Sequence, residues 1–296
     1  MSNLKAPSLY LKTLLFFDNL FSTALSVLKV LILSNTKNKI PLASNTQCVV
    51  LGNGPSLKNS LTNHLDFFKN KELFCVNNFA SSESYTELKP QNYIIMDPSF
   101  WKFEGSINPA LEKMLNDLKE KTTWNLRFFI PNQARKSEYL QAFEKENTNI
   151  HISYFNYTVF RGFQNISFFI YRLGLGMPQC QNVVVACLFL AINMKFKEIY
   201  LLGADHNWHE SLIVDDQNVV CLKHHHFYDK DSNIAYRKFY KDTLNKEAFT
   251  MKEIFQTWAK VFYGYEVLSK YAEALKVKVY NSSEVSFIDA FERKKL

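Results

Sequence analysis

Histidines cluster in two places where an imidazole could transfer a proton. His206 and His209 directly follow an apolar run that ends in Asp205, and a second cluster, His-His-His, occupies positions 224–226. An imidazole with a pKa near 6.5 suits general acid or base chemistry at neutral pH. Clustered imidazoles also suit zinc, but the spacing here matches no established zinc pattern. The sequence therefore predicts a histidine general base, with at least two of these histidines making only hydrogen bonds within loops.

A glycine-rich turn follows the apolar segment that begins at Cys48. Residues 52–57 read Gly-Asn-Gly-Pro-Ser-Leu. Glycines let backbone N–H groups approach an anion at the start of a helix, and Ser56 after Pro55 suits a helix N-cap. The turn is not a Walker loop, and it is not a complete dinucleotide fingerprint because Leu57 stands where the third glycine belongs. It is either a nucleotide phosphate site or a structural turn.

The segment Asp229-Lys230-Asp231 has the Asp-x-Asp form that holds metal-bound sugar nucleotides in many enzymes. It lies in a polar stretch and does not directly follow an apolar strand. A solvated loop is therefore the favoured interpretation.

The elements that would position these residues are strands that alternate with helical stretches after residue 47. Short apolar runs of strand character end in polar residues at six places, namely Asn53, Asn77, Asp97, Asn132, Asp205 and Asn281. This alternation predicts an α/β fold, with a single Rossmann-like domain, a mainly parallel sheet and ligands at the carboxyl ends of the strands. The less regular stretch 106–160 is expected to supply a cap.

Composition limits the class of protein. The chain has 296 residues, a net charge of +7 and 47% hydrophobic side chains, which excludes a disordered or low-complexity chain. The positive charge favours anionic partners, but the lysines are dispersed and not interleaved with aromatic residues, so nucleic acid is not expected as a partner. The five cysteines lack a CxxC pair, which predicts buried free thiols in a reducing compartment.

The first 46 residues form a separate segment. Residues 8–34 contain neither glycine nor proline and are mostly apolar, and Lys12, Asp18 and Lys29 interrupt the run, which argues against a membrane span. Plotted as a helix, the polar residues except Thr13 fall within one arc, and the segment carries five lysines against a single aspartate. The pattern predicts an amphipathic helix that lies in a membrane surface, or one that docks on the protein or on a second copy. The predicted domains are thus 1–46 for helix and linker, and 47–296 for the catalytic domain.

Several motifs together resemble the bacterial sialyltransferases of glycosyltransferase family 42. They are the loop at 52–57, Val-Asn-Asn-Phe at 76–79, Asp-Pro-Ser-Phe-Trp at 97–101 with Ser99, the apolar helix and strand at 183–205, and the late strand at 276–281. The loop and the segment 197–205 also resemble the pterin diphosphokinase-like proteins and the accessory factors for flagellar glycosylation. The resemblance covers most of residues 48–281.

The resemblance implies a GT-A-like variant of the Rossmann fold with a mobile lid, a CMP-sialic acid donor, inversion at the anomeric carbon and no metal cofactor. By position, Asn53 would contact the nucleotide near its phosphate and Asn77 its ribose or base. Asp97 stands where the family has Asn. Gln181 and Asn182 replace a small Ser-Gly pair that faces the cytosine, so the nucleotide is not fixed.

The same resemblance assigns roles to the histidines. His206 or His209, when protonated, would share the phosphate charge with the helix start at Pro55-Ser56. A histidine in the next loop would act as general base, with His226 the first choice and His225 the second. The implied donor-binding set is Gly52, Asn53, Gly54, Ser56, Asn77, Asp97, Ser99, Asn182, Asp205, His206 and His209.

The resulting hypothesis is a metal-independent glycosyltransferase of bacterial surface polysaccharide assembly (O-antigen, lipooligosaccharide or capsule). Its expected partners are a nucleotide-sugar donor, a lipid-linked or oligosaccharide acceptor and the inner-membrane surface. Association into a homo-oligomer is an alternative that the sequence leaves undecided. Its expected location is the cytoplasm, peripherally on the inner membrane. Two alternatives stand beside it: a pterin diphosphokinase-like enzyme that uses ATP and magnesium at Asp97 and Asp205, and a non-catalytic accessory protein.

Overall fold

The computed structural model describes residues 8–102, 109–223, 226–228, 235–241 and 247–296. Its helices are α1 (Leu9–Leu33), α2 (Leu57–Asn63), α3 (Leu65–Phe68), α4 (Ser84–Leu88), α5 (Pro109–Lys121), α6 (Glu138–Glu146), α7 (Gln164–Arg172), α8 (Val183–Asn193) and α9 (Met251–Ala274). Its strands are β1 (Gln47–Leu51), β2 (Glu72–Val76), β3 (Asn92–Ile94), β4 (Leu126–Pro131), β5 (Ile150–Phe155), β6 (Glu198–Leu202), β7 (Leu212–Val214), β8 (Val220–Leu222), β9 (Arg237–Lys238), β10 (Lys278–Asn281) and β11 (Glu292–Arg293).

A parallel sheet of eight strands forms the centre of a single α/β domain. Its order is β11-β10-β6-β1-β2-β3-β4-β5, and every neighbouring pair is parallel. The central strands β1, β2 and β6 are almost wholly buried, as expected for strands covered on both faces. This confirms the predicted fold class, and all five cysteines are free and buried as expected.

The sheet has one switch in strand order, and it lies between β1 and β6. From β1 the chain adds β2, β3, β4 and β5 in succession on one side, then crosses back to place β6 on the other side of β1. The loops that leave β1 and β6 at their carboxyl ends therefore diverge. This divergence opens the crevice where open α/β sheets bind ligands.

The stretch 106–160 does not form the expected cap. Within its described part, α5, β4, α6 and β5 continue the sheet in the same βα pattern. Strand β5 is an edge strand whose residues 151–154 are exposed or half-buried, so it lacks the apolar run that marks the central strands. A separate antiparallel sheet, β7-β8-β9, follows β6 instead.

Helix α1 reverses the usual placement of polar and apolar faces. Its buried residues are Thr23, Ser26 and Val30, whereas most of its leucine and phenylalanine side chains are exposed. The hydroxyls of Thr23 and Ser26 accept hydrogen bonds from the backbone N–H groups of Phe163 and Arg161, both at 3.0 Å. The helix therefore docks on the domain through its polar arc.

Candidate functional site

A cavity of about 530 Å³ opens at the switch in strand order. Its lining comes from the loops after β1, β2 and β6, the start of α8, the segment around β8 and β9, and one side of α9. Eight of the predicted site residues line it, namely Gly52, Asn53, Gly54, Asn77, Asn182, Asp205, His206 and His226. The carboxyl ends of the central strands thus collect most of the candidate residues in one place.

The glycines of the first loop are required by contact with the loop after β6. The N–H groups of Gly52 and Gly54 donate to the carbonyls of Leu202 and Gly203, both at 2.8 Å. A Cβ on Gly54 would lie 2.5 Å from Asp205 Oδ1, and Gly203 has a φ of +64°. These glycines let two loops pack directly together, which differs from the predicted approach to an external anion.

Asp205 occupies the position where the sequence predicts a phosphate. Its carboxylate accepts from the Ser56 N–H at 2.9 Å and from the Ser56 hydroxyl at 2.5 Å. Burial raises the pKa of Asp205, and the two bonds from Ser56 oppose that rise. Ser56 makes no side-chain cap on α2, contrary to prediction. The start of α2 therefore binds an internal carboxylate, and the predicted phosphate role of Pro55-Ser56 is not supported by this geometry.

Asn53 and Asn77 present amide oxygens that lack partners. Asn53 Nδ2 donates to the carbonyl of Val76 at 3.1 Å, which ties the β1 loop to the end of β2. Asn77 has a φ of +49°, and its carbonyl accepts from the Tyr93 hydroxyl. The Oδ1 atoms of both asparagines are buried and have no hydrogen-bond partner among the described residues. Because these atoms are acceptors, they suit hydroxyl or amino groups of a ligand and not its phosphate.

His206 is a buried, neutral imidazole. Its Nε2 lies 2.8 Å from the Tyr265 hydroxyl, and its ring stacks on Trp208 with centroids 4.3 Å apart. Burial lowers the pKa of His206 to about 3. The expectation of a protonated His206 beside the phosphate is therefore wrong at neutral pH, because burial removes the imidazole from the water that would solvate its charge.

The backbone holds His226 at the cavity wall. The next residue, Phe227, donates its N–H to the Asn53 carbonyl at 3.1 Å and packs its ring against Phe79. The His226 ring stacks on Tyr228, with the centroids 5.0 Å apart and the planes 5° from parallel. The second-choice base, His225, lies outside the described residues, as does the Asp229-Lys230-Asp231 segment.

Asn182 caps α8 as well as lining the cavity. Its Oδ1 accepts from the Val184 N–H at 2.6 Å, which satisfies one of the free donors at the start of this buried helix. Its Nδ2 makes no hydrogen bond with the rest of the described structure and is left as a donor. The start of α8 borders the cavity through Asn182, Val183 and Val184, whereas at the start of α2 the Ser56 N–H is already bonded to Asp205.

Four described residues of the predicted set do not line the cavity, namely Ser56, Asp97, Ser99 and His209. Asp97 is exposed and accepts from the Ser99 N–H at 2.8 Å, so it caps its own turn. His209 is exposed, and its ring meets the edge of Phe287 at 4.6 Å.

Two further strand-end asparagines are structural. Asn132 accepts from Asn38, and Asn281 is fully buried and donates to the Ile288 carbonyl. A polar residue at a strand end is thus a site residue only where the neighbouring loops diverge.

Sequence reasoning missed much of the aromatic and basic lining. Trp258, Thr257 and Val261 come from α9, and the rings of Trp258 and Trp208 lie 5.7 Å apart. Among the described residues, the lining contains one lysine, Lys223, and one carboxylate, that of Asp205. No local pattern marks Trp258, because it belongs to an ordinary amphipathic helix about 50 residues along the chain from Trp208.

Comparisons with known proteins place these features in a family. The profile of the family described as 6-hydroxymethylpterin diphosphokinase MptE-like matches residues 16–211. No curated protein matches the chain. Among solved structures, the MAf glycosyltransferase from Magnetospirillum magneticum AMB-1 is similar with a TM-score of 0.48 and 11% identity. That similarity covers 94% of this chain, which spans 38% of the MAf chain. The resemblance to the pterin diphosphokinase-like group is confirmed, whereas the features particular to sialyltransferases stay predictions.

Proposed function

The chain belongs to the MptE-like family, and from that premise we propose that it is a nucleotide-sugar-dependent glycosyltransferase of bacterial surface polysaccharide assembly. One observation carries the proposal. Within the described residues, the cavity at the strand switch combines two amide oxygens without hydrogen-bond partners, two indole rings, a lysine and two histidines, of which His206 is neutral. This set provides acceptors for hydroxyls, surfaces for stacking, a cation for phosphate and a base for proton transfer.

The nucleoside part of the donor is assigned to the asparagines and the indoles. The Oδ1 atoms of Asn53 and Asn77 would accept from ribose hydroxyls or from an amino group of the base. Trp208 and Trp258 offer flat apolar faces on which a base or a sugar ring stacks.

The phosphate is assigned to Lys223, to Asn182 Nδ2 and to the start of α8. The start of α8 carries the positive end of a helix dipole and belongs to the cavity lining. Asp205 already fills the equivalent position at α2, and His206 is neutral. Negative charge on a leaving nucleotide would therefore meet Lys223 and the α8 terminus.

His226 is assigned as the general base. An acceptor hydroxyl oxygen would attack the anomeric carbon while the bond from that carbon to the donor phosphate oxygen breaks. The hydroxyl proton passes to the imidazole of His226, and the bonding electrons leave with the nucleotide. A lipid-linked or oligosaccharide acceptor would enter from the open side of the cavity, and the donor we favour is a CMP-activated sugar.

The family description favours one second candidate, a pterin diphosphokinase that uses ATP and magnesium. Magnesium prefers carboxylate oxygens. In the described structure both Asp205 oxygens accept from Ser56, and Asp97 is exposed away from the cavity. The two carboxylates do not form a shared magnesium site there, so we derive no step through the metal. An accessory protein that only binds the ligand is the third possibility.

Donor turnover tests the proposal. Purified full chain would be incubated with CMP-sialic acid, CMP-Kdo, UDP-sugars and GDP-sugars, with and without EDTA, and nucleotide release measured. We expect release from a CMP-sugar that EDTA does not change. Phosphoryl transfer from ATP to a pterin that EDTA abolishes, with no turnover of any sugar nucleotide, would overturn it.

The matched pair His226→Ala and His209→Ala assigns the base. Removing a general base lowers kcat by about 10²–10⁴-fold, so His226→Ala should lose turnover while the KM for the donor changes little. His209→Ala should behave as the wild type, because His209 does not line the cavity. Equal losses in both variants would remove the assignment.

A further inference from the structure

The apolar face of α1 is uncovered in the folded domain. The residues opposite the docked arc include Tyr10, Leu14, Phe17, Phe21, Leu28 and Ile32, and all are exposed. Phe17 and Phe21 are 60% and 66% exposed. Contiguous apolar surface of this extent on a monomer marks an interaction site. The helix is also long and apolar enough to cross a membrane, with a mean hydropathy of 1.6 over 18 residues.

The docking of α1 argues against a span. The hydroxyls of Thr23 and Ser26 satisfy the backbone N–H groups of Phe163 and Arg161, and the Ser34 hydroxyl donates to the Leu175 carbonyl at 2.6 Å. A spanning α1 would break these contacts and place the hydroxyls of Thr23 and Ser26 in lipid, which offers no hydrogen-bond partners beyond the carbonyls of the helix itself. Docking also fixes the rotation of the second half of α1, where Thr23, Ser26 and Val30 are buried and the apolar face points away from the domain, whereas residues 9–18 are exposed.

A second helix close to α1 also exposes apolar side chains. Helix α7 lies between the two segments that α1 contacts, Arg161–Phe163 before it and Leu175 after it. It exposes Ile166, Phe169 and Leu173. Asn156 ties the two helix ends together, because its Nδ2 donates to the carbonyls of both Asn35 and Gly174.

A basic cavity adjoins this surface at the amino ends of β6 and β10. It has a volume of about 710 Å³, and its charged lining consists of one carboxylate, Glu198, and five cations, Arg172, Lys195, Lys197, Lys276 and Lys278. All five are exposed, and none forms an ion pair with another described residue. Arg172 is the last residue of α7, and the linker after α1 reaches Met194 through the hydrogen bond from the Ala43 N–H.

We infer that α1 lies in the plane of an anionic phospholipid surface, with its apolar face among the acyl chains and the basic cavity on the phosphate head groups. Apolar burial and the attraction between lysines and anionic lipid act together in such surface helices. A two-fold contact between two copies of the chain through the apolar face of α1 would bring their basic cavities, which carry like charges, together. Charge complementarity therefore favours lipid over a second copy.

Vesicle co-sedimentation of the full chain tests the inference. The probes are vesicles of phosphatidylcholine alone and of phosphatidylcholine mixed equally with phosphatidylglycerol. We expect binding to the mixed vesicles that is released by alkaline carbonate. Phe17→Glu with Phe21→Glu should weaken it at least tenfold, whereas the control pair Val214→Glu with Val285→Glu, both 49% exposed, should not.

Lysine variants test the head-group contact separately. Each lysine near an anionic surface contributes a factor of about five. Lys195→Gln with Lys276→Gln should therefore weaken binding to mixed vesicles about 25-fold and leave binding to phosphatidylcholine unchanged. Lys58→Gln with Lys252→Gln is the control.

Four results would overturn the inference. The first is a folded wild type that binds neither kind of vesicle, and the second is protein that stays on the vesicles after carbonate treatment. The third is unchanged vesicle binding in both the phenylalanine and the lysine test pairs. The fourth is a dimer that does not bind vesicles and that Phe17→Glu with Phe21→Glu dissociates. Circular dichroism of each variant shows that it is folded. Turnover of sugar nucleotides is a separate readout, so this inference and the proposed function fail independently.

Discussion

At the scale of single residues, the histidines of the cavity have different roles because they differ in burial. His206 and His226 both line the cavity, but burial keeps His206 neutral whereas the backbone places His226 on the wall. Residue type and spacing predicted a histidine site. They did not predict which imidazole is desolvated. Tertiary packing decides this, because it brings the Trp208 ring and the Tyr265 hydroxyl against His206.

The neutral His206 predicts how stability varies with pH. Its pKa falls from 6.5 to about 3 on folding, so the unfolded chain binds the extra proton between these values. The stabilisation is complete above pH 6.5 and is lost as the pH falls towards 3. Between pH 7.5 and 5, His206 alone should lower the free energy of unfolding by about 2 kcal/mol.

Urea unfolding of His206→Asn at both pH values checks this. Asparagine tolerates the left-handed backbone of this position, where φ is +53°. The variant should lose that part of the pH dependence, and His209→Gln should retain it. A His206→Asn variant with the wild-type pH dependence would show that the imidazole is not held neutral.

At the scale of elements, apolar runs predicted the central strands well. The segments read as β1, β2, β3, β4, β6 and β10 all form strands, because burial on both faces requires continuous apolar sequence. The edge strand β5 and the small sheet β7-β8-β9 were not predicted. A strand that is exposed on one side, or that has only two or three residues, has little periodicity of hydrophobic residues by which to identify it.

The face by which α1 docks was also beyond sequence reasoning. Amphipathicity predicts a polar and an apolar face but not which of them contacts the domain. Here the polar face does, because its hydroxyls accept hydrogen bonds from the N–H groups of Arg161 and Phe163. Thr23→Val with Ser26→Ala removes both hydroxyls and should cost about 1–3 kcal/mol per bond. We expect faster hydrogen–deuterium exchange at the amides of Arg161 and Phe163.

Ala24→Ser is the matched control, because Ala24 is exposed on the same helix. It adds a hydroxyl without touching the docked arc and should leave exchange at both amides unchanged. Unaltered exchange in the double variant would mean that these hydrogen bonds do not hold α1 on the domain.

At the scale of the whole molecule, the sheet separates two surfaces of different chemistry. The candidate site lies at the carboxyl ends of β1, β2 and β6, whereas the basic cavity, with five cations and Glu198, lies at the amino ends of β6 and β10. The topology explains the first, because the switch between β1 and β6 opens a crevice at one end only. The strand-end motifs were thus predictable, but the α9 side chains that complete the cavity were not.

Nucleotide binding to the wild type and to Trp258→Ala is the measurement that tests the central claim most directly. Calorimetric titration with CMP, UDP and GDP should show binding of at least one of them. Loss of one stacking ring costs about 1–3 kcal/mol, so Trp258→Ala should bind it about tenfold more weakly. Tyr263→Ala, which removes an exposed ring from the same helix, should bind as the wild type does. No binding of any of the three, or equal affinity in Trp258→Ala, would contradict a nucleotide-sugar site in this cavity.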